Sequence, residues 1–261
     1  MGAALRYELV RVTTIRSTRI MAVLSLLMGL GLGWLASQPS VQFDDAGNEL
    51  DIVFPVQYWQ AFSVPLLLVA VLASVVGAQA LGQEYRFGLV RLTLTAFPRR
   101  GQVLTAKVLV VVAASAVFTL VSYAGSFLAV LLRQQPLPPD GMPIPDSTFL
   151  LRGVVFVVLW ALSALAIAGL TRQTALGIAV PIVSGLIVEQ ILAALLRERA
   201  GWLVDALPWS SAARWDAVPL TSDGGPLLDQ PPVAWAAIGV FAVWVVVLLA
   251  LEVVAFLRRD A

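Results

Sequence analysis

The chain has neither cysteine nor histidine among its 261 residues. Their absence excludes disulfides, thiol nucleophiles, the common zinc sites and histidine acid–base chemistry. Lysine occurs once, at Lys107, and Val108 follows it, so no G-x-x-x-x-G-K-[ST] phosphate loop can be written anywhere in the sequence. Charge is scarce too. Asp, Glu, Lys and Arg make up 13 % of the residues, about half the roughly 25 % of an average soluble domain. Hydrophobic residues make up 59 %. A water-soluble body of this size could not cover its surface with so few charges, and the composition implies an integral membrane protein.

What is present is arranged in long apolar runs. A helix crossing hydrocarbon about 30 Å thick needs roughly 20 mostly apolar residues. Six segments qualify, near 20–37, 60–81, 108–132, 153–170, 174–196 and 234–257. Runs such as Val108-Leu109-Val110-Val111-Val112 do not alternate, which argues against the period-two strands of a membrane barrel. The expectation is an all-α integral membrane protein with six transmembrane helices in a single domain spanning residues 1–261. The first apolar run follows a long basic segment and lacks a small-x-small cleavage site, so it reads as a retained span.

Orientation follows from the distribution of charge. The segments on the N-terminal side of the bilayer hold Arg6, Arg11, Arg16, Arg19, Arg86, Arg91, Arg99, Arg100, Lys107, Arg172, Arg258 and Arg259 against Glu8, Glu84 and Asp260. Those on the other side hold only Arg133, Arg152, Arg197, Arg199 and Arg214. Both termini are therefore expected in the cytoplasm. Trp34, Trp59, Trp202, Trp209, Trp215 and Trp235 fall at or beyond the outer ends of spans, where amphipathic rings favour the headgroup layer. Trp160 and Trp244 fall deep within spans.

Three segments are too polar or too broken to span. In residues 3–19, Leu5, Leu9 and Val12 recur on one helical face with Arg6 and Arg11 off it, which predicts an amphipathic helix on the membrane surface. The loop 82–107 predicts a short helix over Arg86–Phe97, with Leu89, Leu92 and Phe97 on one face, ended by Pro98, which lacks a backbone donor. Arg99, Arg100 and Lys107 then anchor the third span. The outer loop 197–232 carries Trp202, Leu203, Val204, Leu207, Trp209 and Trp215. It is read either as one or two short helices dipping into the interface or as a Trp-anchored surface loop.

Within the spans, Glu189 and Gln190 lie about 10 Å below the outer boundary at 1.5 Å per residue. A carboxylate at that depth needs a partner, and Arg197 or Arg199 could supply one. Gly177, Pro181 and Gly185 predict a bend in the same span. Glu252 is expected to snorkel to the inner surface. Gly29-x-x-x-Gly33 is a small-xxx-small pattern of a kind common in apolar sequence.

The stretch Glu84-Tyr85-Arg86-x-Gly88-Leu89-x-Arg91-x-Thr93-Leu94 through Pro98-Arg99-Arg100, with Lys107 heading an apolar run, resembles the ABC-2 type permeases, the membrane subunits of bacterial ABC exporters. The opening Glu8-Leu9-x-Arg11 through Ile15-Arg16-Ser17-Thr18 is similar to that family's N-terminus. The resemblance implies an elbow helix at 3–19 and a coupling helix in 82–107. It also implies an outer re-entrant segment before the last span and a location in the bacterial cytoplasmic membrane. It further implies a dimer with an identical or similar permease chain, driven by a separate cytoplasmic ATPase subunit. Glu84, Arg86, Phe87, Leu89, Arg91, Leu92 and Phe97 would then dock that subunit, and Glu189, Gln190 and Pro181 would be pathway candidates. ATP and magnesium would sit on the partner. No catalytic residue, metal, cofactor or nucleic acid is expected for this chain itself. Two other classes stay open on sequence: an ion-coupled secondary carrier, and a non-transporting membrane subunit of a complex.

Overall fold

A computed structural model describes residues 2–37, 40–43, 49–52, 55–97, 99–132, 145, 147–216 and 233–258. Pro98, Arg133, Arg259 and residues 217–232 of the loop before the last helix lie outside the described residues. The elements run α1 (Gly2–Thr14), α2 (Arg16–Ala36), β1 (Ser40–Phe43), β2 (Glu49–Ile52), α3 (Pro55–Arg86), α4 (Val90–Ala96), α5 (Arg100–Leu132) and α6 (Ser147–Thr171). They continue with α7 (Thr174–Val183), a π-helical turn (Ser184–Val188), α8 (Glu189–Ala206), α9 (Pro208–Ala212) and α10 (Val233–Arg258). Among the described residues six helical rods are long and apolar enough to cross a membrane: α2, α3, α5, α6, the joined α7–α8, and α10. All six expected spans are present. A two-stranded antiparallel ribbon, Ser40 opposite Ile52, is the one piece of sheet among the described residues and lies between α2 and α3.

The N-terminal helix is shorter than expected. Val12, Thr13, Thr14 and Ile15 form a β-branched run, and the Thr13 and Thr14 hydroxyls bond back to carbonyls of their own helix, which weakens helical continuation. Ile15 is extended (φ −68, ψ 124) and separates α1 from α2. Arg19 reaches back and donates to the Thr13 carbonyl at 3.0 Å, satisfying an end of α1. The buried face of α1 is Ala4, Glu8 and Val12, rotated from the expected Leu5, Leu9 and Val12 stripe. Leu9 is exposed, because the face turned inward carries an ionic contact described below.

α2 and α5 pack at close range along small residues. A Cβ on Gly29 or Gly33 would run into the backbone of Ser122 or Ser126, and one on Gly125 would meet Leu26 and Leu30. Ser126 donates to the Gly29 carbonyl at 3.3 Å. The small-xxx-small pattern is therefore the α2–α5 seam. α3 and α6 make the other long pairing and hold most of the core, including Leu66, Val69, Phe156, Val157 and Trp160.

The α-helix of the fifth span is interrupted close to Pro181. Pro181 has no N–H to give the preceding turn, and directly after α7 the backbone widens into a π turn, in which the Glu189 N–H bonds to the Ser184 carbonyl. Glu252 does not snorkel. It is buried against Gly169 of α6, whose missing side chain makes room for it.

Candidate functional site

The end of the bundle that carries most of the basic residues is built around Lys107. α5 begins at Arg100 rather than at Val108, so Lys107 lies about two turns inside a helix and is fully buried. Its Nζ donates to Glu8 Oε1 at 2.6 Å and to Glu84 Oε1 at 2.5 Å. The second oxygen of Glu8 accepts from Arg11 Nε at 2.9 Å, and Arg11 also reaches the Ala80 carbonyl at 3.4 Å. Two cations and two anions thus join α1, α3 and α5. The arrangement divides further. Glu8 and Arg11 are one turn apart on α1, and Glu84 with Lys107 ties α3 to α5. Each half is neutral alone, so neither leaves an uncompensated buried charge if the two separate.

Glu84, expected to dock a partner, is turned inward by this contact and is buried. The other residues of that set are distributed differently. Arg86 belongs to the last turn of α3, not to a separate coupling helix. α3 stops in a Schellman turn: the Leu89 N–H bonds to the Glu84 carbonyl at 2.8 Å and the Gly88 N–H to Tyr85 at 3.3 Å. Gly88 takes φ +66, which glycine adopts without a steric cost. The expected helix over Arg86–Phe97 is therefore split, and only Val90–Ala96 remains as α4.

Phe87 and Leu92 are 64 % and 68 % exposed, with Leu89 exposed beside them. Arg86 lies over the Phe87 ring at 5.5 Å, and Arg91 is exposed. Phe97 instead turns to α1, its ring 6.0 Å from that of Tyr7. α5, at 33 residues, is about 50 Å long against about 30 Å of hydrocarbon. Its exposed large apolar side chains begin at Leu109 and end at Leu132. Between Arg100 and Val108 α5 exposes no large apolar side chain, and Arg100 donates to the Phe256 and Leu257 carbonyls at the end of α10. α4 directly precedes this stretch; its Leu92 is exposed and its Val90 is buried.

The opposite end is organised by aromatic rings. Trp215 stacks on Phe156 (5.5 Å, 17°) and lies 5.3 Å from Phe149, which in turn meets Trp59 at 5.2 Å. Phe156 also meets Trp160 edge-on at 5.7 Å. Trp209 and Trp215, expected among headgroups, are buried here; Trp202 and Trp34 are exposed, as interfacial rings would be. The reason is the path of the chain. α8 kinks at Ala200 (φ −149, ψ 53) and runs to Ala206, and the chain then turns back into α9. The Trp244 indole N–H donates to the Ala206 carbonyl at 2.9 Å, and Trp244 lies about 16 Å along α10 from Val233 at 1.5 Å per residue. This turn therefore sits well down the side of α10. Trp209 lies against Gly185 of the π turn, where a Cβ would find both Trp209 and Trp160 at 3.0 Å.

The pathway candidates bracket that π turn. Glu189 is buried, and its Oε2 accepts the Ser210 backbone N–H at 2.6 Å. It thus holds the first turn of α9, where a carboxylate suits the helix dipole, rather than pairing with Arg197 or Arg199, both of which are exposed. Gln190 donates to the Gly185 carbonyl at 3.3 Å. Pro181 is buried in α7. The three neighbour one bend but do not converge on a common point.

Two features were not drawn from the sequence. The Lys107 network had one signal, a lone lysine heading an apolar run, but its partners come from two distant segments. The Asp216 carboxylate is the other. It is hydrogen-bonded to Ser63 and lies near the buried Arg152, and burial raises its pKa above the ordinary aspartate value. No protein-family model matches this chain, and no curated protein matches it.

Proposed function

We propose that this chain is the membrane-spanning permease subunit of an ATP-driven exporter in a bacterial cytoplasmic membrane. In this reading it works with a second permease chain and a separate cytoplasmic ATPase. The observation that carries the proposal is the segment leading from the end of α3 into α4, where Phe87, Leu89 and Leu92 are uncovered beside exposed Arg86 and Arg91. Clustered exposed apolar side chains with a polar rim mark an interaction surface. The resemblance of the segment Glu84–Arg100 to the coupling region of ABC-2 permeases supports the same reading, as does the absence of any phosphate loop in this chain.

The proposed mechanism follows from the connections. ATP binding draws two ATPase subunits together, and α4 moves with the one it touches. The Leu89–Glu84 backbone bond of the Schellman turn ties the start of α4 to the end of α3, and Glu84–Lys107 joins α3 to α5. Displacement of α4 therefore passes to two spanning helices at once, not to a loose loop. At the far end, α9 rests on the bent fifth span through Glu189 and would cover the exit.

The test is coexpression with ABC ATPase subunits and purification through a tag on this chain. Wild type should retain an ATPase, while Phe87→Asp and Leu92→Arg should lose it without a change in melting temperature. Equal retention by all three would remove α4 from the docking role.

A further inference from the structure

Two hydrogen-bond donors are stranded in the interior, and both border the π turn. The indole N–H groups of Trp160 and Trp209 meet no acceptor among the described residues, although the side chains are only 2 % and 8 % exposed. Buried donors are nearly always paired, because a stranded one loses its bond to water and gains nothing in return. Trp244, more exposed than either, has its partner in the Ala206 carbonyl. The two stranded donors come from different elements, Trp160 from the middle of α6 and Trp209 from α9. They meet at one place: a Cβ on Gly185 would lie 3.0 Å from the Trp160 ring and 3.0 Å from the base of the Trp209 ring.

We propose that Trp160 and Trp209 form a binding site around this turn for an uncharged, membrane-soluble molecule with hydrogen-bond acceptors on a flat apolar body. The permease reading gives the site its use, as a place where cargo is held beneath α9 before release. The surroundings narrow the ligand. Indole is a donor only, so what pairs with it is an acceptor. The acceptors of this corner are already occupied: the Gly185 carbonyl takes the Gln190 amide at 3.3 Å, and Glu189 takes the Ser210 N–H at 2.6 Å. A donor-rich ligand finds no partner here, and an anion meets the Glu189 carboxylate. Phe156 and Phe241 stand edge-on to the Trp160 ring at 5.7 and 6.4 Å, a wall suited to a flat ring. Access is from the apolar side. Gly185 faces inward, while Leu186, Ile187 and Val188 of the same turn are exposed on the outside of the bundle. A π turn in a spanning helix is a recurrent mark of functional positions.

The probe is methoxycoumarin, a flat uncharged lactone with a carbonyl acceptor, titrated into the purified full chain in lipid nanodiscs. Energy transfer from indole to coumarin should saturate, and the lactone carbonyl stretch of the bound probe should move to lower wavenumber, as accepting an N–H requires. Trp160→Phe and Trp209→Phe each keep an aromatic ring and delete one donor. Each should weaken binding roughly tenfold, a change of about 1.4 kcal/mol, and return the carbonyl stretch toward its value in lipid. Benzothienylalanine at position 209, which puts sulfur in place of the N–H at nearly the same shape, should do the same with an unchanged melting temperature. Methylnaphthalene, flat and apolar but without an acceptor, should not displace the probe. Equal affinity in wild type and both Phe variants, or displacement by methylnaphthalene, would reduce the contact to apolar packing and overturn the site. Saturation without a carbonyl shift, or no saturation at all, would overturn it as well. None of these results touches the permease reading, because no ATPase is present and ATPase retention is measured separately.

Discussion

The two ends of this bundle solve the same problem with different materials. At the basic end three helices from distant parts of the chain are joined by Lys107, Glu8, Glu84 and Arg11. At the opposite end α6 is joined by ring contacts to α3 through Trp59 and Phe149, to the turn after α9 through Trp215 on Phe149 and Phe156, and to α10 through Trp160 and Phe241. The difference lies in what each join tolerates. Ring packing is additive and degrades gradually as contacts are lost. An ion network is all or nothing, because removing one member strands the charge of another in a place without water. The first kind suits a segment such as α9 that rests on a bend. The second suits a joint that must hold α1, α3 and α5 in fixed relation.

The largest effect expected from this contrast is at Lys107. Lys107→Met leaves Glu8 and Glu84 buried with only Arg11 nearby, and breaking a buried pair in this way costs about 3–5 kcal/mol. Replacing Glu8, Arg11, Glu84 and Lys107 together by Met or Leu removes both cations and both anions, and such exchanges are often neutral. Thermal unfolding in detergent should therefore show a large loss for the single variant and a near-normal melting temperature for the quadruple. If the quadruple were as unstable as the single, packing rather than charge would hold this end, and the contrast would fail.

A smaller, graded effect is expected among the rings. Phe156→Leu keeps most of the buried apolar volume but loses aromatic contacts to Trp160 and Trp215. At about 0.5–1.5 kcal/mol for each aromatic pair, the loss should be roughly 1–3 kcal/mol. The same unfolding assay reads it, and indole fluorescence should report loosening at this end. A loss as large as that of Lys107→Met would mean that the aromatic cluster is also cooperative.

How much of this was legible in the sequence depends on the range of the interaction that decides each feature. The six spans were, because a run such as 108–132 needs only its own composition to declare itself. An irregularity near Pro181 was as well, since a missing N–H acts locally, and the helix widens into a π turn from Ser184. Helix ends were less so. α3 runs on to Arg86 and stops at Gly88, a glycine present in the quoted motif whose Schellman geometry was not drawn from it. The inward face of α1, with Ala4, Glu8 and Val12, had no signature in hydrophobic periodicity, because it carries a glutamate that pairs with a lysine 99 residues away. Glu189 was recognised as a buried carboxylate that needs a partner. Its partner is a backbone N–H of α9, which carries no side-chain signature. Long-range pairing, not local preference, accounts for what was missed.

The smallest expected effect concerns Asp216, where the two materials meet. It follows Trp215 of the ring cluster, yet it is a charge, held by Ser63 and by the field of Arg152. Burial outweighs these contacts and raises its pKa above the ordinary 3.8. The sign follows from linkage. A carboxyl with a raised folded-state pKa binds its proton more tightly in the folded state than in the unfolded one. Its contribution to stability is fully present below the unfolded value and is lost as pH rises through the folded value. Wild type should therefore lose some stability on going upward through that window, beginning near pH 4, while Asp216→Asn should show a flatter profile over the same range. Melting curves of the two proteins at closely spaced pH values make the comparison. Parallel profiles would mean that Arg152 and Ser63 compensate the carboxylate fully. The aromatic end would then hold a satisfied ion contact of its own, and the division of the molecule into a charged joint and an aromatic one would give way to charge pairing at both ends.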